Sequence, residues 1–239
     1  MRSENLTAST SDWLAVPDPE KARQFRSSGY TELGPVVSAA AWGRLRGELG
    51  AAFAAAARYR DLTVTATGDS PRRLESVGQR ALREHAAVVE ELYRAPELLA
   101  LLTEVAGEQV LPIDYEPEQY VASRLSEPGH VHGWHWDDYA FGLVWILTAP
   151  DPGAGGELEY VPGTRWDKRN PDVDAYLERG PIRRHSPAAG TAYLLRTDTC
   201  LHRVAPLNRA SERVILCFAY GCRADLDRDM THETVEQLY

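Results

Sequence analysis

The chain is poor in cysteine, with Cys200, Cys217 and Cys222 its only three in 239 residues. That excludes a disulfide scaffold. The spacing matches no cysteine metal motif, and an odd thiol is left over if two pair, so reduced cytoplasmic thiols are expected. Cys217 falls in an apolar run and reads as a small core residue. Basic residues are outnumbered as well: 26 Lys and Arg against 35 Asp and Glu give a formal net charge of -9. A nucleic-acid partner needs concentrated cationic side chains, and the pairs Arg72/Arg73 and Arg183/Arg184 are too short to make a basic patch. No apolar run approaches a membrane-spanning length, and the opening MRSENLTASTSDW lacks the apolar segment of a secretory signal. A cytoplasmic location, with no membrane and no nucleic-acid partner, is therefore expected.

What is present suits a globular protein. Hydrophobic residues make up 44% and charged residues 26%, enough for a sizeable core, and the length suits one elaborated domain. The polar, Ser- and Thr-rich residues 1–17 read as a flexible arm before a single domain over 18–239. Its first part, 18–108, is mostly helical. Asp18 and Pro19 start a short helix that Gly29 ends, and GYTELGPV follows as a strand and turn. Residues 38–58 form a longer helix with Leu45, Leu49, Phe53 and Ala57 along one face, which should pack on a sheet. DLTVTATGDSPRRLESVG gives a short strand and a turn, and helical patterns return over 79–93 and 96–105. From Val110 the pattern changes to short strands separated by Gly- and Pro-rich turns, giving a core over 109–223 and a tail over 224–239. The fold class is an all-β core with flanking helices: a double-stranded β-helix, or cupin-like jelly roll. NPDVDAYLERG reads as a helix inserted between its strands.

The stretch HVHGWHWDDY, residues 130–139, holds three histidines and two adjacent carboxylates. On an extended segment His135 and Asp137 point the same way while Trp136 points away, so one metal can take both. His202, in TDTCLHRVAPL, is the candidate third ligand; two imidazoles and a carboxylate leave three positions of an octahedral Fe(II) open. Alone, an H-x-D is a common surface pair. The ordered set is more specific, because Arg213 follows His202 by eleven residues in the strand-like ERVILCFAY.

This set, HWD, then H, then R on the following strand, resembles the 2-oxoglutarate-dependent non-heme iron oxygenases, and GGELEYVP and PAAGTAYLL resemble the phrases between the ligand segments in that family. The resemblance covers roughly residues 118–221. It implies Fe(II) held by His135, Asp137 and His202, 2-oxoglutarate and O2 as cosubstrates, Arg213 on the distal carboxylate of 2-oxoglutarate, and succinate and CO2 as coproducts. No catalytic residue beyond the metal centre is implied. Related halogenases have a small residue in place of the aspartate, which opens a position for chloride; Asp137 is present, so hydroxylation is expected.

Arg72, Glu118 in EPEQY, His132, Asp138 and the tail MTHETVEQLY further resemble the small BesD-like enzymes that hydroxylate or halogenate free amino acids. That resemblance implies Arg72 on the substrate carboxylate, Glu118 and Asp138 on ammonium or other polar groups, His132 lining the pocket and Tyr239 closing over it. Read without it, Arg72 caps a turn, Glu118 sits on a solvated edge and Asp138 bonds neighbouring amides. Cys217, Phe218 and Ala219 on the last strand replace the polar residues expected of a lysine enzyme, which points to a shorter or less polar amino acid. The alternatives are the same chemistry on a larger secondary metabolite or peptide, a non-catalytic metal-binding jelly-roll module, and a zinc hydrolase that leaves Arg213 without a role.

Overall fold

The structure is a computed structural model that describes residues 12–239, so residues 1–11 of the expected arm lie outside the described residues. The remainder of the arm is tied to the body: Trp13 bridges to Val37, and the Leu14 amide donates to Val36 O at 2.9 Å. Helix α1 (Pro19–Ser28) starts where Asp18 Oδ1 accepts from the Glu20 amide at 2.8 Å, with Pro19 in its first turn. It stops at Gly29, whose φ of 73° is left-handed and costs glycine little. Strand β1 (Tyr30–Gly34) leads into α2 (Ala39–Ala56), capped by the Ser38 hydroxyl.

Next come β2 (Arg58–Val64) and β3 (Ser70–Val77), paired as a hairpin. The second of these is a departure from the sequence pattern, which shows only a turn there. Pro71 hides the strand, because proline is tolerated only near a strand's start or on an edge. Helices α3 (Gln79–His85), α4 (Ala87–Tyr93) and α5 (Pro96–Ala106) follow. The helix expected over 79–93 is thus broken at Ala86, whose φ of -143° and ψ of 67° are not helical. Leu45, Leu49, Ala52 and Phe53 of α2 are buried, packed chiefly against α3 and α4, while Trp42 of α2 stacks on the sheet residue Trp145.

The remaining elements in chain order are β4 (Leu111–Pro112), α6 (Glu116–Gln119), β5 (Tyr120–Leu125), β6 (Val131–His135), β7 (Phe141–Thr148) and β8 (Leu158–Pro162). After these come α7 (Val173–Arg179), β9 (Arg183–His185), β10 (Ala192–Arg196), β11 (Cys200–Val204), β12 (Arg213–Gly221) and α8 (Glu233–Leu238). The strands form one antiparallel sheet in the order β1-β10-β7-β12-β5-β3-β6-β11-β8-β9, with β2 added on β3 and β4 on β12.

The sheet curls on itself. Val144 and Ile146 of β7, Tyr193 and Leu195 of β10 and Ile215 of β12 meet Leu158 and Tyr160 of β8 and Cys200 of β11 in one buried cluster. This is the half-barrel of a jelly roll. Alternation assigns the faces: Leu216, Phe218 and Tyr220 of β12 pack under the helices, while Ile215, Cys217 and Ala219 face inward. Each large apolar side chain buried this way contributes about 1.5–3 kcal/mol. Cys217 is therefore a cavity residue and not the core residue its apolar neighbours suggest.

Candidate active site

His135 ends β6, Asp137 lies two residues on, and His202 in β11 is the direct cross-strand partner of His135. That register brings both imidazoles to one face. Their Nδ1 atoms lie against backbone oxygens, His135 on Gly133 O at 2.7 Å and His202 on Cys200 O at 2.9 Å. With Nδ1–H donating there, each Nε2 presents a lone pair toward Asp137, at 3.7 Å from Oδ1 for His135 and 3.8 Å from Oδ2 for His202. These separations are too long for hydrogen bonds and suit three ligands around one ion. All three ligand atoms lie within 4.8 Å of one another.

Electrostatics favour the ligating forms of the imidazoles. Burial pushes the His135 imidazole well below its ordinary value, with His202 and His132 adding to the effect. Burial lowers His202 too, against the pull of Asp137. Neutral imidazole is what a metal binds. Burial raises the Asp137 carboxyl, opposed by His202 and Arg72, and a cation placed between the three would favour its ionised form.

Arg213 begins β12 and is 3% exposed. Burial lowers its guanidinium, with Tyr193 alongside raising it. Its two terminal nitrogens are buried without a hydrogen-bond partner. A buried cationic fork with both tines unused is costly on its own and fits a carboxylate in bidentate fashion.

Against the three candidate ligands lies a cavity walled by Val121, Ser123, Val144, Leu158, Tyr193, Thr197, Ile215 and Cys217, with Arg213 beside Tyr193 and not itself on the wall. His132 and Glu118 also line it. The His132 ring stacks on His135 at 4.2 Å, burial holds it well below its ordinary value, and its Nε2 has no partner. Arg72, fully buried in β3, sits across from His132 because β3 pairs with β6. Its Nη1 donates to Ser70 Oγ at 2.6 Å and its Nη2 to Thr67 Oγ1 at 3.3 Å, while Nε has no partner. It both holds the 65–70 turn and carries a buried charge that no carboxylate hydrogen-bonds. Burial lowers it to about 10, with Tyr239 and Asp137 opposing.

Glu118 is carried by α6, is 7% exposed, and meets His232 Nδ1 at 3.1 Å through Oε2. Asp138 is 2% exposed and does not line the cavity; its Oδ1 pairs with Lys168 Nζ at 2.6 Å. The structure thus brings His135, Asp137, His202, His132 and Glu118 to one cavity and sets Asp138 behind it. The C-terminal segment covers the remaining side: Thr234, Val235, Leu238 and Tyr239 line the cavity. Leu238 O accepts from Arg60 Nε and from Ser76 Oγ, both at 2.8 Å, and Gly78 leaves room for Tyr239, whose Cβ lies 3.2 Å from where a side chain there would begin. Tyr193, His232 and Lys168 carry no motif. The signal for Tyr193 was its place opposite β7 on an inward-facing strand position.

Burial pushes the Glu118 carboxyl from 4.5 up to about 7, with the His232 hydrogen bond opposing. The same bond raises His232. Both groups therefore hold a proton more tightly in the folded chain than in the unfolded one; what Glu118 contributes to stability is lost as pH rises through about 7, and what His232 contributes as pH rises above the ordinary imidazole range. Glu118→Gln removes the titrating carboxyl and the raised imidazole together. The thermal midpoint of the metal-free variant is expected to vary less than that of the parent between about pH 5 and 8; equal slopes contradict this.

A family model described as Halogenase D matches residues 18–239. No curated protein matches the sequence. Among solved structures, AviO1 from Streptomyces viridochromogenes Tue57 is similar at 22% identity and TM-score 0.66, over 88% of this chain and 98% of that one. The non-heme alpha-ketoglutarate-dependent carbocyclase SnoK from nogalamycin biosynthesis is similar at 18% identity and TM-score 0.65, over 85% and 83%. An oxidoreductase of the 2OG-Fe(II) oxygenase family from Burkholderia pseudomallei is similar at 19% identity and TM-score 0.58, over 89% and 96%. At these identities the likeness is one of fold, and it is to the jelly-roll architecture described above.

Proposed function

The chain belongs to the family described as Halogenase D, and from that premise we propose that it is an Fe(II)- and 2-oxoglutarate-dependent dioxygenase hydroxylating an unactivated C–H bond of a free amino acid. The observation that carries the reading is a pair of buried features, one lining the cavity and the other set behind its Tyr193 wall. One is the His135/Asp137/His202 triangle, and the other is the Arg213 fork with both terminal nitrogens unpartnered. A structural metal site has no use for the fork. Bound Fe(II) with 2-oxoglutarate supplies the oxidising power, consuming O2 and yielding succinate and CO2.

The chain's own residues do the rest. His135 and His202 hold the metal through Nε2, each fixed in orientation by its Nδ1 bond to a carbonyl. Asp137 supplies the third ligand. Its carboxylate fills the position that a halide would need, which favours hydroxylation within a family described as halogenases. Arg213 anchors 2-oxoglutarate by its far carboxylate. Arg72 binds the substrate carboxylate and Glu118 its α-ammonium, while Val121, Ile215, Cys217, Ala219 and Leu238 offer an apolar wall to its side chain. Tyr239 and α8 keep water out.

Arg72→Ala separates this reading from the same chemistry on a larger secondary metabolite. The KM for a free amino acid is expected to rise by about 100-fold, as for loss of one partner of a buried charge pair. 2-Oxoglutarate affinity should stay within about threefold. An amino acid KM unchanged by the substitution overturns the substrate assignment and sends the search to larger molecules.

A further inference from the structure

Lys168 lies on the loop between β8 and α7, outside the roll, yet its ammonium is delivered to the buried carboxylate next to a candidate metal ligand. The loop is positioned for this: Trp166 Nε1 donates to Ala66 O at 2.7 Å, and the Trp166 ring lies 4.4 Å from Lys168 Nζ. The same ammonium donates to Thr231 O, to Thr231 Oγ1 at 2.9 Å and to Glu233 Oε2 at 3.2 Å, so it also fastens the segment that covers the cavity. The sequence has only two lysines, Lys21 and Lys168, among its 26 basic residues. Where this chain otherwise uses the wide guanidinium fork, it places here a compact ammonium, the group an amino acid itself carries.

Asp138 sits in a cluster with Glu118 and His232 whose ligand atoms all lie within 4.8 Å of one another. Two carboxylates side by side, Glu118 on the cavity wall and Asp138 just behind it, would accept two cationic groups. Lys168 and His232 already provide for them, and the carboxylate left facing the cavity is Glu118 alone. Beyond it the wall is Val121, Cys217, Ala219, Val235 and Leu238 with the neutral hydroxyl of Thr234, and its one other carboxylate is the candidate metal ligand Asp137.

We propose that Lys168 is a specificity-determining residue: its ammonium fills a second cation subsite at Asp138, so that the enzyme accepts amino acids with one ammonium group and an uncharged side chain and rejects diamino acids. The choice of substrate class rests on the free-amino-acid reading above; the occupancy of the subsite by Lys168 does not.

The test compares L-norleucine with L-lysine, which extends the same four-carbon chain by an ammonium. Binding is measured anaerobically by calorimetry to the protein loaded with Fe(II) and 2-oxoglutarate. The parent is expected to prefer norleucine by at least about 100-fold, the effect of burying a charge without a partner. In Lys168→Ala, the ratio of lysine to norleucine affinity is expected to rise by about tenfold or more, a readout that loosening of the covering segment, which acts on both alike, does not move. Methylammonium chloride serves as a second probe: it should raise the thermal midpoint of Lys168→Ala above that in equal sodium chloride and leave the parent unmoved. A variant that accumulates folded only with methylammonium gives the same answer. Equal binding of lysine and norleucine by the parent overturns the proposal, as does a variant indifferent to methylammonium. If no amino acid binds the parent while methylammonium still acts on the variant, the free-amino-acid reading fails and the subsite stands.

Discussion

Replacing Arg213 by leucine raises the 2-oxoglutarate concentration needed for half-saturation by about 100-fold or more, without lowering the thermal midpoint of the ligand-free protein. The first part follows from chemistry: truncating one partner of a buried, hydrogen-bonded charge pair costs about 2–5 kcal/mol, and about 2.7 kcal/mol is 100-fold. The second follows from Arg213 as it stands, buried with its two terminal nitrogens unpartnered. Such a charge is held at a cost, and removing it offsets the void that the shorter leucine leaves. The two readouts together distinguish a cosubstrate anchor from a structural arginine, whose loss would lower the midpoint and leave 2-oxoglutarate affinity alone. A 2-oxoglutarate titration unchanged in the variant contradicts the assignment.

The second large effect is at Asp137. Asp137→Gly is expected to lower hydroxylation by more than about 100-fold, since loss of a direct ligand exceeds the 10- to 100-fold cost of disturbing the groups that only orient ligands. His135 and His202 remain, both neutral and both fixed through Nδ1, so iron is retained with one coordination position opened. Supplied with chloride, the variant is expected to yield chlorinated product, seen by mass spectrometry as the chlorine isotope pair. The glycine also removes a carboxyl that burial holds above its ordinary range, so the fold loses a strained group and gains a void. Hydroxylation at the parent's rate would show that Asp137 is no ligand.

Much of this site is legible in the chain because its parts are local or evenly spaced. His135 and Asp137 are two residues apart, His202 reaches them by pairing directly with His135, and Arg213 opens the next strand. Parity carries further than the reading took it: Cys217, four residues past Arg213, has to face the same way, and its apolar neighbours hid that. What sequence pattern missed depends on pairing between distant segments. Strand β3 is masked by Pro71 and the two arginines, and only its insertion between β5 and β6 sets Arg72 across from His132. The partners of Asp138 come from an aperiodic loop and from the C-terminal segment, where neither hydrophobic period nor turn chemistry announces a contact. Nothing in the segment forbids a continuous helix at Ala86; past the break the Val88 amide donates to Glu48 Oε2 of α2 at 2.9 Å, a contact from a distant segment.

The most direct test of the account is an anaerobic optical titration of the parent protein with Fe(II) and 2-oxoglutarate, followed by free amino acids added one at a time. Three protein ligands with 2-oxoglutarate chelated on the same iron predict a visible metal-to-ligand charge-transfer band, and an amino acid seated between Arg72 and Glu118 predicts that the band shifts with an amino acid of uncharged side chain. No band at any 2-oxoglutarate concentration would contradict the oxygenase reading and leave the His135/Asp137/His202 triangle as a metal site without this chemistry.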